Sequence, residues 1–284
     1  MNKDKLRAIC QKLSKETGLS FNVIQTHYFL ESILEKIASS DENENFIFKG
    51  GFLLVNVIGV RQRNTVDIDF LIRGFSLTEE NIKQKFEKIL QSGKDIGITY
   101  EIQKIEEIRK EDEYGGFRIT VLCRLENIRQ TIPLDIATGD PITPSEISYE
   151  YISIFNDSIF KICAYNIETM IAEKIQTIYK RGVFNSRSKD FYDIYILYHL
   201  KKEMIDFECL KKACQNTFKH RNTNFNIDSI LDVLSTLKAE KDLKIRWSSY
   251  QKRFSYAGEI SFNNVIDTMI ELVKKIKWLV KNKV

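Results

Sequence analysis

Over its first five residues the segment Val66-Asp67-Ile68-Asp69-Phe70-Leu71-Ile72 alternates apolar and acidic residues, which predicts a strand with one buried face. Residues two apart on a strand share a face, so Asp67 and Asp69 are expected to hold two carboxylates a few ångströms apart while Val66, Ile68 and Phe70 face the core. Such a pair of anions repels unless a hard cation lies between them. Mg²⁺, with Mn²⁺ as its alternative, suits the pair because it takes one or two carboxylates and completes its shell with water and phosphate oxygens. Asp135, in Pro133-Leu134-Asp135-Ile136-Ala137, is a third acid in a strand-like apolar frame, a costly place for a charge without a partner. If its strand adjoins that of Asp67, three carboxylates converge. That is enough for two ions about 4 Å apart, one activating a hydroxyl and one neutralising a leaving pyrophosphate.

A second constellation precedes the acids. Lys49-Gly50-Gly51 ends a short β-type run, 46–49, and opens an apolar stretch, 52–58, read as a helix. Glycines at such a turn let backbone approach a ligand, and a helix start aims free N–H groups at an anion. Followed by Arg61, Arg63 and Thr65, these residues make a phosphate cradle adjoining the metal ligands; a Gly-Gly turn beside a polar edge strand is the plainer account. Farther on, Lys174 lies at the margin of the stripe Ile167, Met170, Ile171, Ile175 and Ile178, where it either meets a phosphate or pairs with a neighbouring carboxylate. Asp190 and Asp193 share one helix face, where they favour the first turn and can clamp Arg181 or Arg187.

The elements that must position these residues follow from periodicity. Helices are expected at 4–17 and 20–39, the second carrying His27 on its apolar face as a satisfied core residue, and again from Thr78 to about residue 90. Strands are expected at 98–108, 116–125, 131–137 and 158–164, with hairpin connections over 112–116 and 126–130. Helices alone follow, at 167–181, 188–200, 207–218, 228–238 and 262–281. The expected class is therefore α+β: a mixed β-sheet core with flanking helices over 1–165, then a helical C-terminal lobe over 166–284.

Composition is that of an ordinary globular chain of 284 residues, 43% hydrophobic and 29% charged, which excludes collagen-like and disordered classes. No apolar run reaches the ~20 residues of a membrane span, and the N-terminus is a charged helix-like segment, so a cytoplasmic protein is expected. The five cysteines are scattered without a CxxC pair and read as reduced thiols. The net charge is +4, yet 238–284 holds eleven Lys and Arg against five Asp and Glu, a local +6 that leaves −2 for the rest. A basic C-terminal lobe beside an acidic body suits a polyanionic partner.

Taken in order, Lys49-Gly50-Gly51, Arg61 to Asp69, Leu134-Asp135-Ile136-Ala137-Thr138-Gly139-Asp140, Glu173-Lys174 and Arg187-Ser188-Lys189-Asp190-Phe191-Tyr192-Asp193 resemble the DNA polymerase β-like nucleotidyltransferases, and among them the AbiEii/AbiGii toxins of bacterial abortive-infection systems. The resemblance implies a toxin that uses an NTP and Mg²⁺, releases pyrophosphate and adds NMP to RNA, notably the tRNA 3′ end, blocking translation in phage defence. It makes Asp67, Asp69 and Asp135 metal ligands and catalytic groups, and Lys174 and Asp190 catalytic. Lys49, Gly50, Gly51, Arg63, Thr65 and Lys174 become nucleotide contacts. It also implies a cognate antitoxin that regulates transcription without stably binding the toxin; a monomer is expected. A protein hydroxyl or small molecule as acceptor, or a non-catalytic RNA-binding module, are the rival readings.

Overall fold

The computed structural model describes residues 1–108 and 115–281, with side chains through 277. The turn expected over 112–116 lies, up to residue 114, outside the described residues. The chain divides into two compact units, one of Met1–Asp140 with Glu146–Tyr165, the other of Pro141–Ser145 with Asn166–Val284.

The first unit is built on one mixed sheet. Its strands are β1 (Phe46–Lys49), β2 (Ile68–Ile72), β3 (Ile98–Ile108), β4 (Gly116–Leu125), β5 (Ile128–Ala137), β6 (Ile147–Ile152) and β7 (Ile159–Ala164), in the spatial order β3-β4-β5-β2-β1-β7-β6. Four helices accompany it: α1 (Lys3–Thr17), α2 (Phe21–Ala38), α3 (Gly50–Ile58) and α4 (Glu79–Gln91). Phe46, Phe48, Phe52, Phe70, Phe86 and Tyr151 are all essentially excluded from solvent and supply the bulk of the sheet's packing. Central β1 and β2 are buried almost throughout, so they read as apolar runs broken only by the residues at the site.

Three local expectations need correction. The strand carrying the acids starts at Ile68, not Val66; Val66 has no ladder partner and is 41% exposed rather than core-facing. The β4–β5 connection is only the two residues Glu126-Asn127, because Glu126 adopts a positive φ of 51° that closes the hairpin at once and lets β5 begin at Ile128. Strand β6, unforeseen, pairs antiparallel with β7, with Tyr151 inward.

The second unit is helical: α5 (Ile167–Arg181), α6 (Ser188–Lys201), α7 (Phe207–His220), α8 (Ile227–Ala239), α9 (Lys241–Arg253) and α10 (Phe262–Lys281). Helix α9 was not expected. The segment 141–145 belongs here because Asn166 caps α5 through the Thr169 amide at 2.8 Å and donates from its side chain to the Thr143 carbonyl at 2.7 Å. No described helix is long and apolar enough to cross a membrane.

One buried acid sets the pH response of the first unit. Glu31 of α2 is 6% exposed and accepts from Tyr151 Oη at 3.0 Å, Ser153 Oγ at 2.5 Å and the Ile154 amide at 3.2 Å, tying α2 to the turn after β6. Burial outweighs those three donors and pushes its carboxyl up to about 7 from 4.5. The folded state thus binds this proton more tightly than the unfolded chain. The stability it contributes is full below pH 4.5 and declines as pH rises through about 7. Glu31→Gln, which keeps an acceptor for Tyr151 and Ile154, is expected to raise the melting temperature above pH 7 and to flatten its pH dependence, as read by circular dichroism.

Candidate active site

The geometry of the candidate site begins with strand order. Strands β2 and β5 run parallel as neighbours, with Asp69 directly paired to Asp135, so the sheet sets those two acids side by side. Asp67 stands immediately before β2 and is exposed, while Asp69 is half-buried. On the other side β1 runs antiparallel to β2 and sets Lys49 opposite Asp69. One row across three strands therefore reads Lys49, Asp69, Asp135.

Each acid has its own surroundings. Asp135 receives Arg118 of β4 in a two-point ion pair, Nε to Oδ1 at 2.7 Å and Nη2 to Oδ2 at 2.9 Å, a geometry that fixes the carboxylate plane. This hydrogen bond and the Asp135 charge push the Arg118 guanidinium upward. Arg118, cross-strand partner of Asp135 in the register, is the site residue that sequence reading missed. The signal that could have found it is its place on the strand before a short hairpin. Asp69 leans over Gly50: a Cβ at that glycine would lie 2.0 Å from Asp69 Oδ2, and Gly50 itself has φ of +77°. Glycine is thus required there twice, by backbone conformation and by space. A Cβ at Gly51 would meet Thr65 Oγ1 at 3.3 Å, so the Gly-Gly turn packs directly against the loop before β2.

That loop is held from several sides. Thr65 accepts from the Asp67 amide through its hydroxyl at 3.4 Å, and its carbonyl meets His27 Nε2 at 2.8 Å. Burial lowers the His27 pKa, which keeps the ring neutral, and at 1% exposure it is the core residue the sequence suggested. Arg63 is 4% exposed and donates to the Asn64 carbonyl, so in this structure it staples the loop from inside. Lys49, 8% exposed, donates to Asp140 Oδ2 at 2.9 Å and Tyr165 Oη at 3.0 Å. Helix α3 begins without a side-chain cap, leaving its first amides to be satisfied by other partners.

Among the described residues no three His, Cys, Asp or Glu side chains stand as a group able to hold a metal ion. The donor chemistry nevertheless suits one: Asp67 and Asp69 are hard oxygen donors two positions apart in sequence, with Asp135 in register beside Asp69 and engaged by Arg118.

The second unit holds Lys174 and Asp190. Lys174 Nζ lies 3.1 Å from Asp190 Oδ1 and 2.7 Å from Asp193 Oδ2, and Arg187 Nε lies 2.6 Å from Asp190 Oδ2. Both carboxylates are 1% exposed. Burial would raise the Asp190 carboxyl, but Lys174 and Arg187 outweigh it and hold it at about 2. Of the two guanidiniums the sequence offered for this clamp, Arg187 is the one in contact.

A family model described as nucleotidyl transferase AbiEii toxin, Type IV toxin–antitoxin system, matches residues 32–269, and the chain belongs to that family. Its members are nucleotidyl transferases, working on a nucleotide within a system that includes a cognate antitoxin. The crystal structure of JHP933 from Helicobacter pylori matches with a TM-score of 0.54 at 15% identity, over 93% of this chain and 96% of that one. A second H. pylori structure, described as a "putative nucleotidyltransferase", matches with a TM-score of 0.50 at 15% identity, over 94% and 99% of the two chains. At such identity these two show a shared fold. No curated protein sequence matches.

Two outcomes test this geometry. Gly50→Ala, which must move Asp69 and strain a left-handed φ, is expected to cost at least about 1 kcal/mol in urea unfolding and to abolish nucleotide-induced thermal stabilisation. Because the Asp190 carboxyl is depressed from 3.8 to about 2, its ion pairs stabilise the fold fully above pH 3.8 and lose that contribution as pH falls towards 2. Asp190→Asn is therefore expected to destabilise at pH 7 and to shrink the wild-type advantage below pH 3, read by chemical denaturation.

Proposed function

We propose that this AbiEii family member transfers a nucleoside monophosphate from an NTP to an RNA hydroxyl, foremost the 3′ end of tRNA, and that the modification blocks translation. The observation that carries the reading is the pairing of Asp69 with Asp135 on adjacent strands, beside a glycine turn that Asp69 itself overhangs. Asp67 and Asp69 would hold Mg²⁺, with Asp135 completing the donor set. When bound, the ion supplies charge neutralisation for the triphosphate and a lowered pKa for the attacking hydroxyl.

The chain's own groups do the rest. Gly50 and Gly51, at the uncapped start of α3, turn backbone amides toward the triphosphate, an anion that a helix start favours. Thr65 and Lys49 stand on the two sides of that turn and add a hydroxyl and a cation; Arg63 keeps the loop in shape from within. One oxygen of Asp135 would take the proton of the acceptor hydroxyl once nucleotide binding loosens the Arg118 contact, which in this structure engages both oxygens and sets the carboxylate plane. In the second unit Lys174 carries a cation for phosphate, aligned by Asp190 and Asp193. Most of the catalysis is then positioning and electrostatics, as in other phosphate-transfer sites. Within this reading the toxin acts in the cytoplasm as a monomer in phage defence, and its antitoxin restrains it as a transcriptional regulator without stably binding it.

The test incubates the chain with each α-labelled NTP in turn, together with total RNA and total protein. Label is expected in the tRNA fraction with the wild type, and Asp69→Asn is expected to lower it by at least about a hundredfold while leaving the melting temperature near that of the wild type. Label in the protein fraction, or equal labelling by Asp69→Asn, would contradict the proposal.

A further inference from the structure

Helix α9 carries the largest net charge of the described helices of the second unit. It buries Leu243, Trp247 and Tyr250 along one stripe. The remainder of KDLKIRWSSYQKR carries five cations and one acid, a net +4 (5 − 1) that equals the net charge of the entire chain. Lys241, Lys244, Lys252 and Arg253 are all exposed, and among the described residues none of them has a carboxylate partner. Elsewhere in the same unit the pattern is mixed: Lys202, Lys238 and Lys277 pair with Glu271, Asp267 and Asp228, while the exposed Lys212 and Lys219 have no carboxylate partner among the described residues. Like charges gathered on one helix without counter-ions destabilise the compact state and make a local field that draws polyanions.

A second observation comes from the margin of that face. Arg246 turns away from solvent and donates from Nη1 to the carbonyls of Asn185 at 3.1 Å and Val183 at 3.4 Å. It thereby fixes to α9 the short 3₁₀ turn Gly182–Phe184, whose last residue, Phe184, is 85% exposed. A single exposed apolar side chain is ordinary at a protein surface; what distinguishes Phe184 is its place beside the cations of α9, to which Arg246 fixes its turn. A ring with cations alongside matches what single-stranded RNA needs: phosphates meet the cations, and an unpaired base stacks on the ring. From Lys241 to Lys252 the helix advances about 16 Å, enough to run alongside several consecutive phosphates of one strand. An acidic protein would also use the cations, and polyglutamate as competitor separates that case from RNA.

We propose that the outward face of α9, with Phe184 at its margin, is the docking surface for a single-stranded segment of the RNA acceptor. The proposal rests on the reading of RNA as acceptor and adds where the RNA is held. Lys241, Lys244, Lys252 and Arg253 contact phosphates and carry no base preference. Phe184 stacks on one base.

Fluorescence anisotropy of a labelled single-stranded RNA of mixed sequence, titrated with the full chain between about 50 and 200 mM salt, tests this. Replacing the four cations together by Gln is expected to weaken binding at least about tenfold at the lower salt. The slope of log affinity against log salt should shallow by about 3, since each phosphate contact on a single strand contributes about 0.7. Phe184→Ala is expected to weaken binding about tenfold with the slope unchanged. Melting temperature and NTP-induced thermal stabilisation should match the wild type in both variants, because every altered side chain is exposed. Unchanged affinity and slope in the four-Gln variant, or competition by polyglutamate as effective as by unlabelled RNA, would overturn the proposal. The labelling assay separates it from the underlying reading. RNA bound through α9 but never labelled upholds the surface and refutes the acceptor; RNA labelled equally well by wild type and four-Gln variant does the opposite.

Discussion

The site depends on one constraint: a parallel pairing that sets two carboxylates, Asp69 and Asp135, opposite each other on neighbouring strands. A sheet would avoid this arrangement for stability alone, because like charges directly across a strand pair repel. The first unit accommodates it by giving each acid a separate answer. Arg118 grips Asp135 with both arms, while Asp69 is directed over the Cα of Gly50, at the positive end of α3. Neither answer is a hydrophobic one, and both leave the acids at the end of β2, where the chain enters the sheet from the loop of Thr65 and Asp67.

Much of the remaining architecture serves that row. The glycine turn must be left-handed at Gly50 to clear Asp69, and this fixes how α3 leaves β1. The loop before β2 is held from inside by Arg63 and from α2 by His27, so that Thr65 can press against Gly51. Lys49 faces the acids from β1 while being anchored by Asp140 and Tyr165. The chain belongs to the AbiEii nucleotidyl transferase toxins, and the transfer proposed for this row would use its anionic oxygens and the backbone amides of the glycine turn.

What the sequence revealed, and what it hid, follows physical lines. Period-two alternation located the β2 acids, and the amphipathic stripes of α2, α5 and α10 located those helices, because each buries a face that repeats in sequence. The start of β2 was misjudged because Val66 continues the alternation although no neighbouring strand reaches it. Helix α9 was missed because its buried stripe is only Leu243, Trp247 and Tyr250 among cations that obscure the period. Strand β6 did carry a signal, with Tyr149 and Tyr151 alternating against Ser148 and Glu150, yet it is an edge strand largely open to solvent. Arg118 was harder to read: its pairing with Asp135 follows only once the hairpin is known to turn on Glu126-Asn127, which sets the register between β4 and β5.

The central claim is that Asp67, Asp69 and Asp135 act together on a metal-bound triphosphate. A crystal structure of the full chain with Mn²⁺ and a non-hydrolysable NTP analogue measures this directly, through the anomalous signal of the ion. The account predicts a peak within coordination distance of the Asp67 and Asp69 carboxylates, triphosphate oxygens facing Gly50 and Gly51, and Asp135 turned toward the ion with its Arg118 contact loosened. An ion bound elsewhere, or Asp135 still gripped by Arg118 while nucleotide is bound away from the glycine turn, would contradict it.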